Sequence, residues 1–188
     1  CVADVAAAIT DKTKCMIINY PCNPTGAIMD AKTAEGLARL LDDKDIYLLS
    51  DEVYSKFVYD GNKSVSVIDY MKDMDKVIYL NSFSKMFAMT GWRIGYSASN
   101  PQLAKVMANY LSHSTSAPST ISQQAAITAL TGPQEDMQVM KEAFEKRRDH
   151  LVERMNRIEG VSCIKPEGAF YLFVKTPVSY THLRAHET

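Results

Sequence analysis

Three short apolar runs constrain this chain more than anything else in it. They are "CMIINY" (residues 15–20), "IYLLS" (46–50) and "KVIYLNS" (76–82). Each is rich in β-branched or aromatic residues, too short for a helix, and closed by polar or turn-forming residues, so each reads as a buried strand. Runs that are apolar almost throughout, without polar alternation, belong to a sheet covered on both faces. "RIGYSAS" (93–99) reads as a fourth strand.

Helix signals fall between and after the runs. Asp30 is an N-cap ahead of Ala34, Leu37, Leu40 and Leu41 at helical spacing. Asn100-Pro101 opens a second helix, with Leu103, Val106, Met107, Tyr110 and Leu111 on one face. Thr120 and Gln123 have capping-box spacing for a third, ending near Gly132. Pro133 starts the longest, whose stripe of Met137, Met140, Phe144, Leu151, Met155 and Ile158 is broken by Arg148 and closed by Gly160. "EKRRDH" (145–150) reads as its solvated side, and "VSCIK" with "AFYLFVK" as a strand pair. The expected class is α/β: a three-layer αβα sheet, then the start of a smaller α+β domain. The expected division is 1–132, 133–176 and a tail at 177–188.

Composition excludes several functions. At 188 residues, 46% hydrophobic, 23% charged and formal net charge −1, the chain suits neither a nucleic-acid groove nor a membrane-attracting face. No apolar run is long enough to span a bilayer. Cys1, Cys15, Cys22 and Cys163 form no CxxC pair, which fits free thiols in a reducing, cytoplasmic compartment. Beginning at Cys1 without methionine, the chain reads as a piece of something longer.

In open α/β sheets, ligands bind beyond the carboxyl ends of the strands. Asn23, Asp51, Tyr54, Ser82, Ser84 and Lys85 all follow strands, and Arg93 lies eight residues past Lys85. Ser82, Ser84 and Arg93 suit a phosphate. Lys85 can form a Schiff base with an aldehyde. Asp51 can pair with a protonated ring nitrogen, and Tyr54 and Asn23 can hydrogen-bond a phenolic oxygen. These are the four handles of pyridoxal 5'-phosphate. Each residue also has a plainer reading: Lys85 a surface lysine, Asp51 a helix cap, Asn23 a turn residue before Pro24. Trp92 reads as core packing and Cys22 as an inert thiol.

"NPTG" (23–26), "DEVY" (51–54) and "SFSKMFAMTGWR" (82–93), in this order and spacing, resemble the signature blocks of the class I/II aminotransferases, pyridoxal-phosphate enzymes of fold type I with the aspartate aminotransferase fold. The resemblance runs to about Thr176. It implies part of that fold's large domain, and an enzyme moving an amino group from an amino acid to a 2-oxo acid, working as a homodimer. It implies Lys85 as the Schiff-base lysine and proton shuttle, Asp51 on the ring nitrogen, Tyr54 and Asn23 on the phenolic oxygen, and Ser82, Ser84 and Arg93 on the phosphate. It also implies a cis Asn23-Pro24 bond, with Gly26 and Gly91 serving backbone geometry. The cofactor-stacking aromatic and the arginine that binds substrate carboxylate belong to parts of the family fold not matched here, so the fragment is expected to be inactive alone.

The same residues serve a C–S lyase catalysing β-elimination, or a cofactor-binding effector module behind a DNA-binding region. A truncated product with no stable fold is a further possibility. "VSYTHLRAHET" (178–188) departs from the family pattern and reads as non-native. His182 and His186 in it have metal-ligand spacing but no third ligand, so no metal site is expected.

Overall fold

The computed structural model describes residues 1–176. Its centre is a four-stranded sheet in the order β1-β2-β3-β4. The strands are β1 (Cys15–Asn19), β2 (Tyr47–Asp51), β3 (Val77–Ser82) and β4 (Gly95–Ala98). The first three are parallel, in line with the expected α/β class, and β4 returns antiparallel on β3. The register sets Asn19 beside Asp51, and Asp51 beside Leu80.

Helices α1 (Val2–Ala8) and α2 (Ala31–Asp42) cover one face. Asp30 caps α2 by accepting the Thr33 N–H at 2.9 Å, and Ala34, Leu37, Ala38 and Leu41 pack with Ile18 and Leu48. On the other face Ile17 is 70% exposed, so the described residues leave that side open. The link from β2 to β3 holds only a 3₁₀ turn (Ile68–Tyr70), because its sequence lacks helical periodicity.

Beyond the sheet come α3 (Phe83–Met86), α4 (Pro101–Ser114), α5 (Thr120–Thr131) and α6 (Glu135–Met155). Asn100 caps α4 through the Leu103 N–H at 2.8 Å. Helix α5 departs from the capping-box expectation. Ser119 is its N-cap, and the Gln123 amide donates instead to the Pro118 carbonyl at 2.9 Å. Helix α6 stops at Met155 rather than near Gly160. Asn156 exchanges two hydrogen bonds with Cys163, 3.1 and 2.8 Å, which pull the chain toward β5 (Ser162–Cys163).

The last segment differs most from expectation. Only Val174–Lys175 form a strand, β6, paired with β5. Residues 166–171 leave that pair and lie beside residues 57–59, where Tyr59 N donates to Glu167 O and Ala169 N to Phe57 O, both at 2.9 Å. Ala169 has φ 55°, which ends any extended run there. Phe170 and Tyr171 thereby join Tyr54, Phe57, Tyr59 and Phe144 in a second apolar cluster.

Arg148 is not on a solvated side of α6. It is 5% exposed and grips Asp60 with both terminal nitrogens, at 2.8 and 2.9 Å. It also donates to Asp149 and to the Pro166 carbonyl. A buried guanidinium needs such a full complement of partners. The residue that breaks the apolar stripe therefore helps tie α6 to Asp60 and Pro166.

Candidate functional site

The site begins at the ends of β1 and β2. The Asn19 amide donates to the Asp51 carbonyl at 3.4 Å, and its oxygen accepts the Asn23 N–H at 2.9 Å. Asn23 is thus tethered at the sheet edge next to Asp51. The turn holding it contains the implied cis Asn23-Pro24 bond and an unanticipated second one at Tyr20-Pro21. Gly26 closes the turn at φ 69°, and a Cβ there would sit 2.2 Å from the Pro166 Cβ, so only glycine fits. Gly91 has neither a positive φ nor a crowded neighbour, contrary to its expected backbone role. The left-handed residues of its turn are Ala88 and Arg93.

Asp51 is half-buried, and its side chain accepts only the Val53 N–H, at 3.2 Å. That bond turns the chain and buries Tyr54, 4% exposed, edge-on to Phe170 and Tyr171 at 5.2 and 5.6 Å between ring centroids. The Tyr54 and Tyr171 hydroxyls are hydrogen-bonded to each other. Burial, then the Tyr171 hydroxyl, pushes the Tyr54 phenol well above its ordinary value; the Asn23 side chain opposes this and the Asp51 charge adds to it. Asn23, Asp51 and Tyr54 therefore form one group.

Lys85 joins it from α3. Its Nζ lies 6.0 Å from the Tyr54 ring centroid and 5.4 Å from that of Phe170. Ser82, the N-cap of α3, accepts the Ser84 N–H at 3.1 Å and donates to the Ile94 carbonyl at 3.3 Å. Thr90 donates to the Ser84 carbonyl at 3.0 Å, and Arg93 donates to the Thr90 carbonyl at 3.0 Å. These bonds fold residues 82–94 back on themselves and link Arg93 to Ser84 through Thr90. Trp92, expected in the core, is 45% exposed.

Among the described residues, Lys85, Arg93 and Asp51 form no salt bridge. Two cations and one carboxylate thus stand with hydroxyl and amide donors at one sheet edge, with charges to spare. This donor set fits a ligand bearing an anion, a basic ring nitrogen and an electrophilic carbon. The sequence reading missed Asn19, Thr90, Phe170 and Tyr171. Only "GAFY" (168–171), a glycine turn before two aromatics, carried a signal that could have found the last two.

The fold is a parallel α/β sheet with a lysine, a carboxylate and an arginine placed just beyond its strands. The chain belongs to the class I and II aminotransferase family, whose model matches residues 2–187. The match runs through 177–187, the segment set apart above as a tail, which lies with His182 and His186 outside the described residues. The chain is similar to an aspartate aminotransferase of Bacillus subtilis, 44% identical over 88% of this chain and 42% of the relative. A solved aspartate aminotransferase from Rhizobium meliloti superposes with TM-score 0.88 at 40% identity, over 92% of this chain and 44% of that one. An aromatic aminotransferase from Pyrococcus horikoshii superposes with TM-score 0.88 at 36% identity, over 93% and 47%. The chain spans less than half the length of these relatives.

Proposed function

We propose that the whole protein is a pyridoxal-phosphate-dependent aminotransferase acting between an amino acid and a 2-oxo acid. One observation carries this reading: among the described residues, Lys85, Asp51 and Arg93 stand without ion-pair partners next to the ends of adjacent strands. Family membership and the names of the relatives support it. Bound pyridoxal phosphate supplies an electron sink that makes the α-proton of an amino acid removable.

The chain's own residues do the rest. Lys85 Nζ would hold the cofactor through its aldehyde carbon and would take and return the substrate's α-proton. Asp51 keeps the proton on the ring nitrogen. The Tyr54 hydroxyl and Asn23 amide hydrogen-bond the phenolic oxygen. Ser82, Ser84 and Arg93 hold the phosphate, with Arg93 suited to a two-pronged grip. The Tyr54 and Phe170 rings flank the Lys85 amine. No helix of the described residues is long and apolar enough to cross a membrane. We place the protein in the cytoplasm as a homodimer, with residues 1–132 in the cofactor-binding domain and 133–176 opening a smaller one.

The test is an exchange assay on the full-length protein. An aminotransferase consumes an amino donor only when a 2-oxo acid acceptor is present. Pyruvate release from cysteine conjugates without an acceptor would make it a lyase.

A further inference from the structure

Tyr171 is a residue the sequence blocks do not include, yet it is held at the site with unusual firmness. Glu167 N and Gly168 N both donate to the Gly26 carbonyl, at 3.0 and 2.8 Å, and Ala169 N donates to Phe57 O. The Tyr59 hydroxyl donates to the Ala169 carbonyl at 2.5 Å. Phe170 stacks on Phe144 of α6 at 5.0 Å between centroids. These contacts leave Tyr171 a defined place, and its hydroxyl meets that of Tyr54.

A phenol has one proton and two acceptor positions. In a pair of phenols only one proton lies between the oxygens. If it comes from Tyr54, Tyr54 has none left to give to a ligand. If it comes from Tyr171, the Tyr54 proton is turned outward and free.

We propose that Tyr171 is a positioning residue that donates its hydroxyl proton to Tyr54 and so aims the Tyr54 proton at the phenolic oxygen of the cofactor. The proposal rests on the function proposed above and extends it by one residue. The donated bond polarises Tyr54 and strengthens its own donation. Groups facing Tyr54 are Asp51 from β2, Asn23 from the turn after β1, Lys85 from α3 and Tyr171; Met140 and Phe144 of α6, in the same cluster, carry no charge.

The sign of the effect follows from competition. A proton donated to the phenolic oxygen competes with the proton that the neighbouring lysine-derived nitrogen shares with that oxygen. A stronger Tyr54 donor therefore lowers the pH at which that nitrogen titrates, and a weaker one raises it.

The experiment is a pH titration of the visible cofactor absorption in the full-length protein, with Tyr171→Phe, Tyr54→Phe and the double variant. Phenylalanine keeps the ring packing, and thermal melts verify that each variant folds. Tyr171→Phe should raise the midpoint by about half a unit to one unit, the scale of one neutral hydrogen bond. Tyr54→Phe should raise it further. In that background Tyr171→Phe should add nothing, because it acts only through Tyr54. An unchanged midpoint in the Tyr171→Phe single variant overturns the proposal while leaving the proposed function intact. Fully additive shifts overturn it too, since Tyr171 would then contact the cofactor itself. Absence of a lysine-dependent band in the unmodified protein overturns both.

Discussion

Arg148 and Lys85 are both cations set among aromatic rings, and they are treated in opposite ways. Arg148 lies 4.7 Å from the Tyr59 ring centroid and has every direction of its guanidinium answered, by Asp60, Asp149, Glu145 and a carbonyl. Lys85 lies against Tyr54 and Phe170 with no carboxylate answering it among the described residues. A cation whose partners come from its own chain is part of the scaffold. A cation left without one is available to a ligand. Both lie against rings of one aromatic cluster, in which Phe144 of α6 packs on Phe170, so the scaffold cation stands behind the wall beside Lys85.

The comparison can be broken from either side. The largest expected effect is Lys85→Ala in the full-length protein. It should lower the amino-transfer rate more than about 1,000-fold, because a nucleophile and a proton shuttle are lost together. The melting temperature of the cofactor-free protein should hardly change, since Lys85 forms no ion pair among the described residues.

Arg148→Met should do the reverse. Stability should fall by about 2 kcal/mol, below the usual cost of breaking a buried pair because Asp60 is partly exposed and keeps Lys165. The Arg148 hydrogen bonds hold the Asp60 carboxyl below its ordinary value. That contribution is present above the unfolded carboxylate's value and is lost as pH falls through the folded one. Melts taken through the acid range should therefore bring wild type and Arg148→Met closer together.

Arg93→Lys sharpens the comparison by keeping charge and losing the fork. Cofactor affinity, read by equilibrium dialysis, should weaken by about 10-fold, the scale of one charge-assisted hydrogen bond.

The smallest effect is at Glu52, a half-buried carboxyl that accepts from Ser50 and Ser66. Burial raises it above its ordinary value, more than its hydroxyl partners lower it. Between the unfolded and folded values the native state binds more protons, so stability falls as pH rises through that window. Glu52→Gln should be as stable as wild type at pH 7 or more so, by at most about 1 kcal/mol, and lose that margin near pH 4.

What the sequence showed follows from the range of the interactions. The three strands, the caps at Asp30 and Asn100, and the block from Ser82 to Arg93 each depend on neighbours along the chain, and each was legible. Helix α4 was legible as a helix but not in its packing: none of its residues is buried, and Tyr110 is 74% exposed. Tyr171 meets Tyr54 across 117 residues and Arg148 meets Asp60 across 88, and no local pattern records such pairings. The residues proposed to face the cofactor stood out because they follow strands or lie in the block between β3 and β4. Phe170 and Tyr171, which pack beside them, did not, because they arrive from the returning segment after α6.

The central proposal is that Lys85, which forms no ion pair among the described residues, holds the cofactor. Borohydride reduction of the full-length protein with pyridoxal phosphate, followed by peptide mass spectrometry, tests it most directly. The account predicts a single reduced cofactor adduct on the peptide carrying Lys85. An adduct on another lysine, or none at all, would contradict it.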